Sequence, residues 1–144
     1  MPQLTGAQIF LELLRQEGVG LIFGNPGSTE LLLIDALASA GEIGNCRYIL
    51  GLHEAVAVAM ADGYAQASGG PAVVNLHAAP GVGNALGMLY NAQKAGTPLL
   101  VTAGQHDQEF AVTEPSLWGD TVEMARPFVK WAIEVRSLRS EERV

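Results

Sequence analysis

Short runs of consecutive apolar residues alternate along the chain with longer stretches in which apolar positions recur every three to four residues. Each short run reads as a buried strand and each longer stretch as a helix. Thr5 is the N-cap of a first helix reaching about Glu17, with Ile9, Phe10, Leu13 and Leu14 at helical spacing and Gly18 and Gly20 past its end. Residues 19–23 form a first strand, and Gly24-Asn25-Pro26-Gly27 a turn of structure-breaking residues. Ser28 or Thr29 then caps a second helix, with Leu31, Leu32, Ile34, Leu37 and Ala38 available for packing. A loop over residues 41–45 leads to a strand over 48–52. An Ala-rich helix starts at once near Glu54 and is closed by Gly69-Gly70. A third strand covers 71–76, a loop 77–84, and a helix runs from about Asn84 to Lys94, stopped by Gly96. A fourth strand over 98–102, a polar loop over 104–119, a short helix over 121–126 and a last strand over 128–133 complete the pattern.

Strands alternating with helices through short links argue for an α/β fold: a three-layer domain with a mainly parallel sheet of five to six strands flanked by helices. Its crossovers should be right-handed. The 144 residues suit one domain, spanning 1–144. Hydrophobic residues make up 49% and charged residues only 16%, enough for a full core and too few charges for disorder. Residues 140–144 look like the start of a helix that is cut off, so a fragment or one subunit of a larger machine is expected. Exposed apolar surface, and hence association, follows from that expectation.

Charge narrows the function classes. The net charge is -7, which disfavours nonspecific nucleic-acid binding. Cys46 is the single cysteine, so there is no intrachain disulfide and no CxxC metal pair. No apolar run reaches the roughly 18 residues of a membrane span. Gln3-Leu4-Thr5-Gly6 stands where a signal peptide would carry positive charge, so a cytoplasmic location is expected.

Three segments fall at one edge of the expected sheet, the carboxyl edge where ligands bind in parallel α/β folds. The first, Gly24 to Ser28, superficially resembles a phosphate loop but lacks the Lys-Ser or Lys-Thr of a Walker A motif. The second, Leu52 to Glu54, places a lone acid at the positive end of a helix. The third, His77 to Asn84, carries Gly81-Val82-Gly83-Asn84-Ala85-Leu86-Gly87, whose last glycine is one position late for a dinucleotide fingerprint. Its glycines leave room for close backbone approach. His77, at a strand end beside glycines, is a candidate for proton transfer. His53 and His106 are weaker candidates, and adjacent helical residues such as His53 and Glu54 do not face each other. No metal cluster has ligand spacing. Trp118, Trp131 and the methionines read as packing.

Taken in series, five segments resemble the N-terminal, pyrimidine-binding domain of thiamine diphosphate-dependent enzymes, in the benzoylformate decarboxylase and acetolactate synthase group. They are Phe23-Gly24-Asn25-Pro26-Gly27-Ser28; Glu54 with Ala61-Asp62-Gly63-Tyr64-Ala65; Asn75-Leu76-His77 with Pro80-Gly81-Val82-Gly83-Asn84; Pro98-Leu99-Leu100-Val101-Thr102-Ala103-Gly104-Gln105; and Arg126-Pro127-Phe128-Val129-Lys130-Trp131. The resemblance implies that a Glu matching Glu54 hydrogen-bonds N1′ of the aminopyrimidine and favours its imino tautomer. It implies proton-transfer and carboxylate-binding roles for His77 and Ser28, and a cofactor lining of Glu54, Pro26, Gly27, Gly83 and Asn84. The substrate would be a 2-oxo acid, and the assembly a homo-oligomer.

The family anchors the diphosphate and a magnesium ion on a separate domain carrying Gly-Asp-Gly and a later Asn. Ala61-Asp62-Gly63 and Gly119-Asp120-Thr121 lack that pattern. The resemblance therefore implies that this chain holds half a site and meets the diphosphate-binding domain of another subunit or chain. The middle and diphosphate-binding domains are absent from these residues. A carboligase of the acetolactate synthase kind and a non-enzymatic subunit-interaction module share the fold and are the alternatives.

Overall fold

The structure is a computed structural model describing residues 4–39 and 46–135. The expected loop over 41–45 and the expected helix start over 140–144 lie outside the described residues. The order is α1 (Gly6–Gln16), β1 (Leu21–Gly24), a 3-10 turn (Ser28–Glu30), α2 (Leu31–Ser39), β2 (Arg47–Leu50), α3 (Glu54–Ser68), β3 (Ala72–His77), α4 (Ala78–Ala95), β4 (Leu99–Gly104), α5 (Gln108–Ala111), α6 (Thr121–Ala125) and a second 3-10 turn (Arg126–Phe128).

Local chemistry sets most element ends. Thr5 caps α1 through a reciprocal pair: its hydroxyl accepts the Gln8 amide at 3.3 Å, and the Gln8 side chain accepts the Thr5 amide at 2.9 Å. Gly69 and Gly96 end α3 and α4 with φ of 73° and 70°, a left-handed conformation that glycine adopts without a Cβ clash.

All pairings are parallel, in the order β2-β1-β3-β4. Period-two alternation splits the core between two faces. Ile22 and Val73 turn toward Leu11, Leu14 and Ala36, the face covered by α1 and α2. Phe23, Val74 and Leu76 turn toward Ala57, Val58, Ala61, Ala65, Val82, Ala85 and Leu89, the face covered by α3 and α4. Central β3 is buried on both faces, as its continuous apolar run requires. The alanines of α3 recur four apart, so that helix lies close against both the sheet and α4.

Among the described residues the sheet has four strands, which corrects the expectation of five to six. Residues 128–133 are not a strand: Arg126-Pro127-Phe128 closes a 3-10 turn and residues 129–133 have no regular structure. The apolar and aromatic content of that segment suits a strand, but strand propensity acts only where a neighbouring edge supplies hydrogen-bond partners. A second correction concerns residues 77–84, expected as a loop. They form the start of α4, because Ala78 takes a left-handed φ of 49° and turns the chain from β3 straight into the helix. Pro80 sits in the first turn, where its missing N–H costs no hydrogen bond.

Candidate functional site

Because all four strands are parallel, their C-terminal ends share one rim. Asn25 follows β1, Glu54 follows β2, His77 ends β3 and Gly104 ends β4. Two polar clusters form on this rim.

The first centres on Glu54, the opening residue of α3, which is only 6% exposed. Asn25 donates to Oε1 at 3.0 Å and Asn84 donates to Oε2 at 2.9 Å. The two asparagines come from opposite sides, one from the β1 turn and one from α4. A Cβ on Gly81 would lie 3.5 Å from the Glu54 Cγ, so the α4 backbone rests against the acid's stem. His53 is the N-cap of α3 and accepts the Ala55 amide at 3.2 Å. Burial pushes the Glu54 carboxyl up, but the Asn84 amide, Glu54's own backbone N–H, the Asn25 amide and nearby His53 together hold it below the usual carboxylate range. In this chain Glu54 is therefore a desolvated but ionised acid, with an asparagine amide on each oxygen.

A pH dependence follows. The folded value lies below the unfolded one, so ionised Glu54 contributes stability above the ordinary value of 4.5, and this is lost as pH falls through the folded value. Denaturant midpoints of wild type and Glu54→Gln should differ at neutral pH, and the gap should narrow as pH falls below 4.5. A gap independent of pH would contradict the assignment.

The second cluster centres on His77. Its Nδ1 lies 2.9 Å from Glu30 Oε2 and 2.9 Å from Thr29 Oγ1. Glu30 is 2% exposed. It accepts the Gly27 amide on Oε2 at 2.7 Å and the Thr29 hydroxyl on Oε1 at 2.5 Å. A Cβ on Gly27 would come within 2.5 Å of the imidazole ring, so this glycine lets the turn lie flat on the histidine. Beneath this cluster, Tyr48 donates to Asn75 Oδ1 at 3.0 Å, and Asn75 donates to Thr102 at 3.1 Å. Burial, with the charge of Glu30 nearby, pushes the Tyr48 hydroxyl well up.

The sequence-derived candidates thus fall at distinct places. Glu54 meets Asn84 directly, and Gly27 meets His77 directly. Pro26 is half-buried between Asn25 and Gly27, and Ser28 is exposed at the start of the 3-10 turn. Gly83 is exposed, and a Cβ there would lie 3.6 Å from the Met124 Cε, away from Glu54. Sequence reasoning missed Asn25, Thr29, Glu30 and Gly81. A signal for Glu30 existed: a Glu three residues after a cap position is the second half of a capping box, and here it reaches back to the Gly27 amide.

A concavity of 380 Å³ lined by Gln105, Trp118, Asp120 and Glu134 lies toward α5 and α6, and neither cluster borders it. Among the described residues no three His, Cys, Asp or Glu side chains are placed to hold a metal ion. Among the same residues no helix is long and apolar enough to cross a membrane.

A doubly covered parallel sheet with a buried acid and close-approach glycines on its carboxyl rim defines an α/β ligand-binding domain. The chain belongs to the family described as thiamine pyrophosphate enzyme, N-terminal TPP binding domain, whose model matches residues 4–124. It is 47% identical over 124 residues to benzoylformate decarboxylase of Pseudomonas aeruginosa, covering 85% of this chain and 22% of that protein. It is 35% identical over 135 residues to the mitochondrial acetolactate synthase catalytic subunit of Saccharomyces cerevisiae, covering 94% of this chain and 19% of that one. Among solved structures, the thiamine diphosphate-dependent 4-hydroxybenzoylformate decarboxylase of Rhodococcus jostii RHA1 superposes with a TM-score of 0.85 at 41% identity, over 92% of this chain and 24% of that one. The chain therefore spans about a fifth to a quarter of the length of these relatives.

Proposed function

We propose that this chain is the pyrimidine-binding portion of a thiamine diphosphate-dependent 2-oxo acid decarboxylase. The observation that carries the reading is Glu54: an acid, almost dry, fixed by two asparagine amides at the rim where ligands meet this fold. Bound there, thiamine diphosphate supplies the electron sink for the carbanion left by loss of carbon dioxide. The residues present fit its pyrimidine end. Glu54 would hold a proton at N1′, and Asn25 and Asn84 keep its carboxylate from rotating away. Beyond the two asparagine amides and Glu54's own backbone N–H, the carboxylate retains one acceptor site for a ligand. A ligand covering the rim removes the remaining water, which shifts Glu54 toward its protonated form from a low starting point. Gly81 and Gly27 keep the neighbouring backbone low, and Pro26, Gly83 and Asn84 complete the proposed lining. His77 is the proton carrier on the substrate side. Exposed Ser28 is free to meet the substrate carboxylate.

The diphosphate and its magnesium ion are assigned to another domain or subunit, because the acids Asp62 and Asp120 serve the chain itself. Asp62 accepts from Gln66 at 2.8 Å and from Thr97 at 2.5 Å, and Asp120 caps α6. The chain then holds half a site within a homo-oligomer, and residues 1–144 are one domain of that assembly. A carboligase reading has the likeness to acetolactate synthase behind it, whereas a histidine at the rim favours protonation over attack on a second carbonyl.

Two measurements test this. Calorimetry of the chain with thiamine diphosphate and magnesium should show weak or no binding; tight, cation-dependent binding would refute the half-site. The complete protein should release carbon dioxide from an aryl 2-oxo acid such as benzoylformate only when thiamine diphosphate is present. Absence of that release from aryl and alkyl 2-oxo acids alike would sink the decarboxylase reading.

A further inference from the structure

We propose that Glu30 is a positioning residue that holds His77 with a proton on Nδ1, so that Nε2 is the nitrogen that gains and loses protons at the rim. This rests on the reading of His77 as a proton carrier, and it follows from counting donors and acceptors around one ring nitrogen.

His77 Nδ1 has two oxygen neighbours, Glu30 Oε2 and Thr29 Oγ1, each at 2.9 Å. A hydroxyl has one proton to give, and that of Thr29 goes to Glu30 Oε1 at 2.5 Å. Toward His77 the hydroxyl can therefore only accept. Glu30 as a carboxylate also only accepts, and its Oε2 already takes the Gly27 amide. Two acceptors facing one ring nitrogen require that nitrogen to carry hydrogen. The requirement is the same for the neutral ring and for the imidazolium, so the exchangeable site is Nε2 in both. Nε2 has no hydrogen-bond partner among the described residues, and the side chain is 22% exposed.

The surroundings of Glu30 leave it committed to this task. Its carboxylate makes no ion pair with Lys or Arg among the described residues, and His77 is the one basic side chain on it there. The Tyr48 hydroxyl from β2 is directed to Asn75, and β4 meets Glu30 through Gly104, where a Cβ would collide with Glu30 Oε1 and Thr29 Oγ1. A buried acid needs partners, and here they are a turn amide, a hydroxyl and one imidazole.

The test is nitrogen NMR of the 144-residue chain labelled at histidine, with His77→Asn used to assign the resonances. At a pH where the ring is neutral, the wild-type spectrum should report the Nδ1–H tautomer in an excess of about tenfold or more, the factor a charge-assisted hydrogen bond is worth. In Glu30→Gln, whose amide can donate to Nδ1, that excess should collapse toward or past equality. Thr29→Val should keep the Nδ1–H form, because Glu30 still accepts. A wild-type ring in the Nε2–H form would overturn the proposal without any variant, since Nδ1 would then accept from Thr29 or Glu30. Retention of the wild-type tautomer in a folded Glu30→Gln would overturn it as well. The spectrum needs neither cofactor nor turnover, so its failure is separable from failure of the decarboxylase reading, which carbon dioxide release tests.

Discussion

Glu54→Gln in the complete protein should slow exchange of the thiamine diphosphate C2 hydrogen by about 10²- to 10⁴-fold, the usual worth of a positioned proton-transfer group. The substitution keeps the volume and the contact with Gly81. One of the two asparagine bonds survives, because a carboxamide oxygen accepts as a carboxylate oxygen does. The other is lost: the new amide nitrogen faces an asparagine amide, donor against donor. What disappears entirely is an atom able to take and return a proton. Exchange is the right readout because it reports proton transfer before any substrate enters. Folding is checked separately by denaturant unfolding, where stability should fall by about 1–3 kcal/mol for the unmet donor. A wild-type exchange rate in a folded Glu54→Gln protein would eliminate the role proposed for this acid.

Gly104→Ala should destabilise the protein by about 3 kcal/mol, the upper end of what overpacking a well-packed site costs. The added methyl would fall on Glu30 Oε1 and on the Thr29 hydroxyl oxygen, with the Thr29 Cβ at 2.9 Å behind them. Glu30 is 2% exposed and has no way out to water without the whole 3-10 turn moving. Relief must come from moving that turn away from β4, which pulls Glu30 off His77. Thermal unfolding should report a melting temperature lower by on the order of 10 °C. A melting temperature within a degree or two of wild type would show that β4 yields instead and that Glu30 keeps its seat. Gly63 offers an internal control for the glycine-to-alanine change itself. A Cβ there meets nothing within 4 Å, so Gly63→Ala within α3 should be neutral or stabilising.

The features readable from residue order are those that arise over short range. Thr5 caps a helix because its hydroxyl and the Gln8 amide are three residues apart. Gly69 and Gly96 stop helices because only the local φ matters. The run over 72–76 is apolar almost throughout because β3 is covered on both faces, and the alternation of such runs with helices through short links announced a parallel sheet. Glu54 stood out because it is the lone acid between a strand and an Ala-rich helix.

Long-range placement decided the rest. Asn25 and Asn84 lie 29 and 30 residues from Glu54 on opposite sides, and only crossing α3 between β1 and α4 brings both amides to one carboxylate. The separation of 47 positions between Glu30 and His77 hides a pair that exists because β1 and β3 are neighbours in the sheet. The missing last strand has the same cause in reverse. Residues 128–133 carry strand-like side chains, yet a strand is defined by its partner, and backbone hydrogen bonding to another segment is not written in any local pattern. Local propensity and periodicity thus set the elements and the fold class, whereas the geometry of the rim was set by which strands lie side by side.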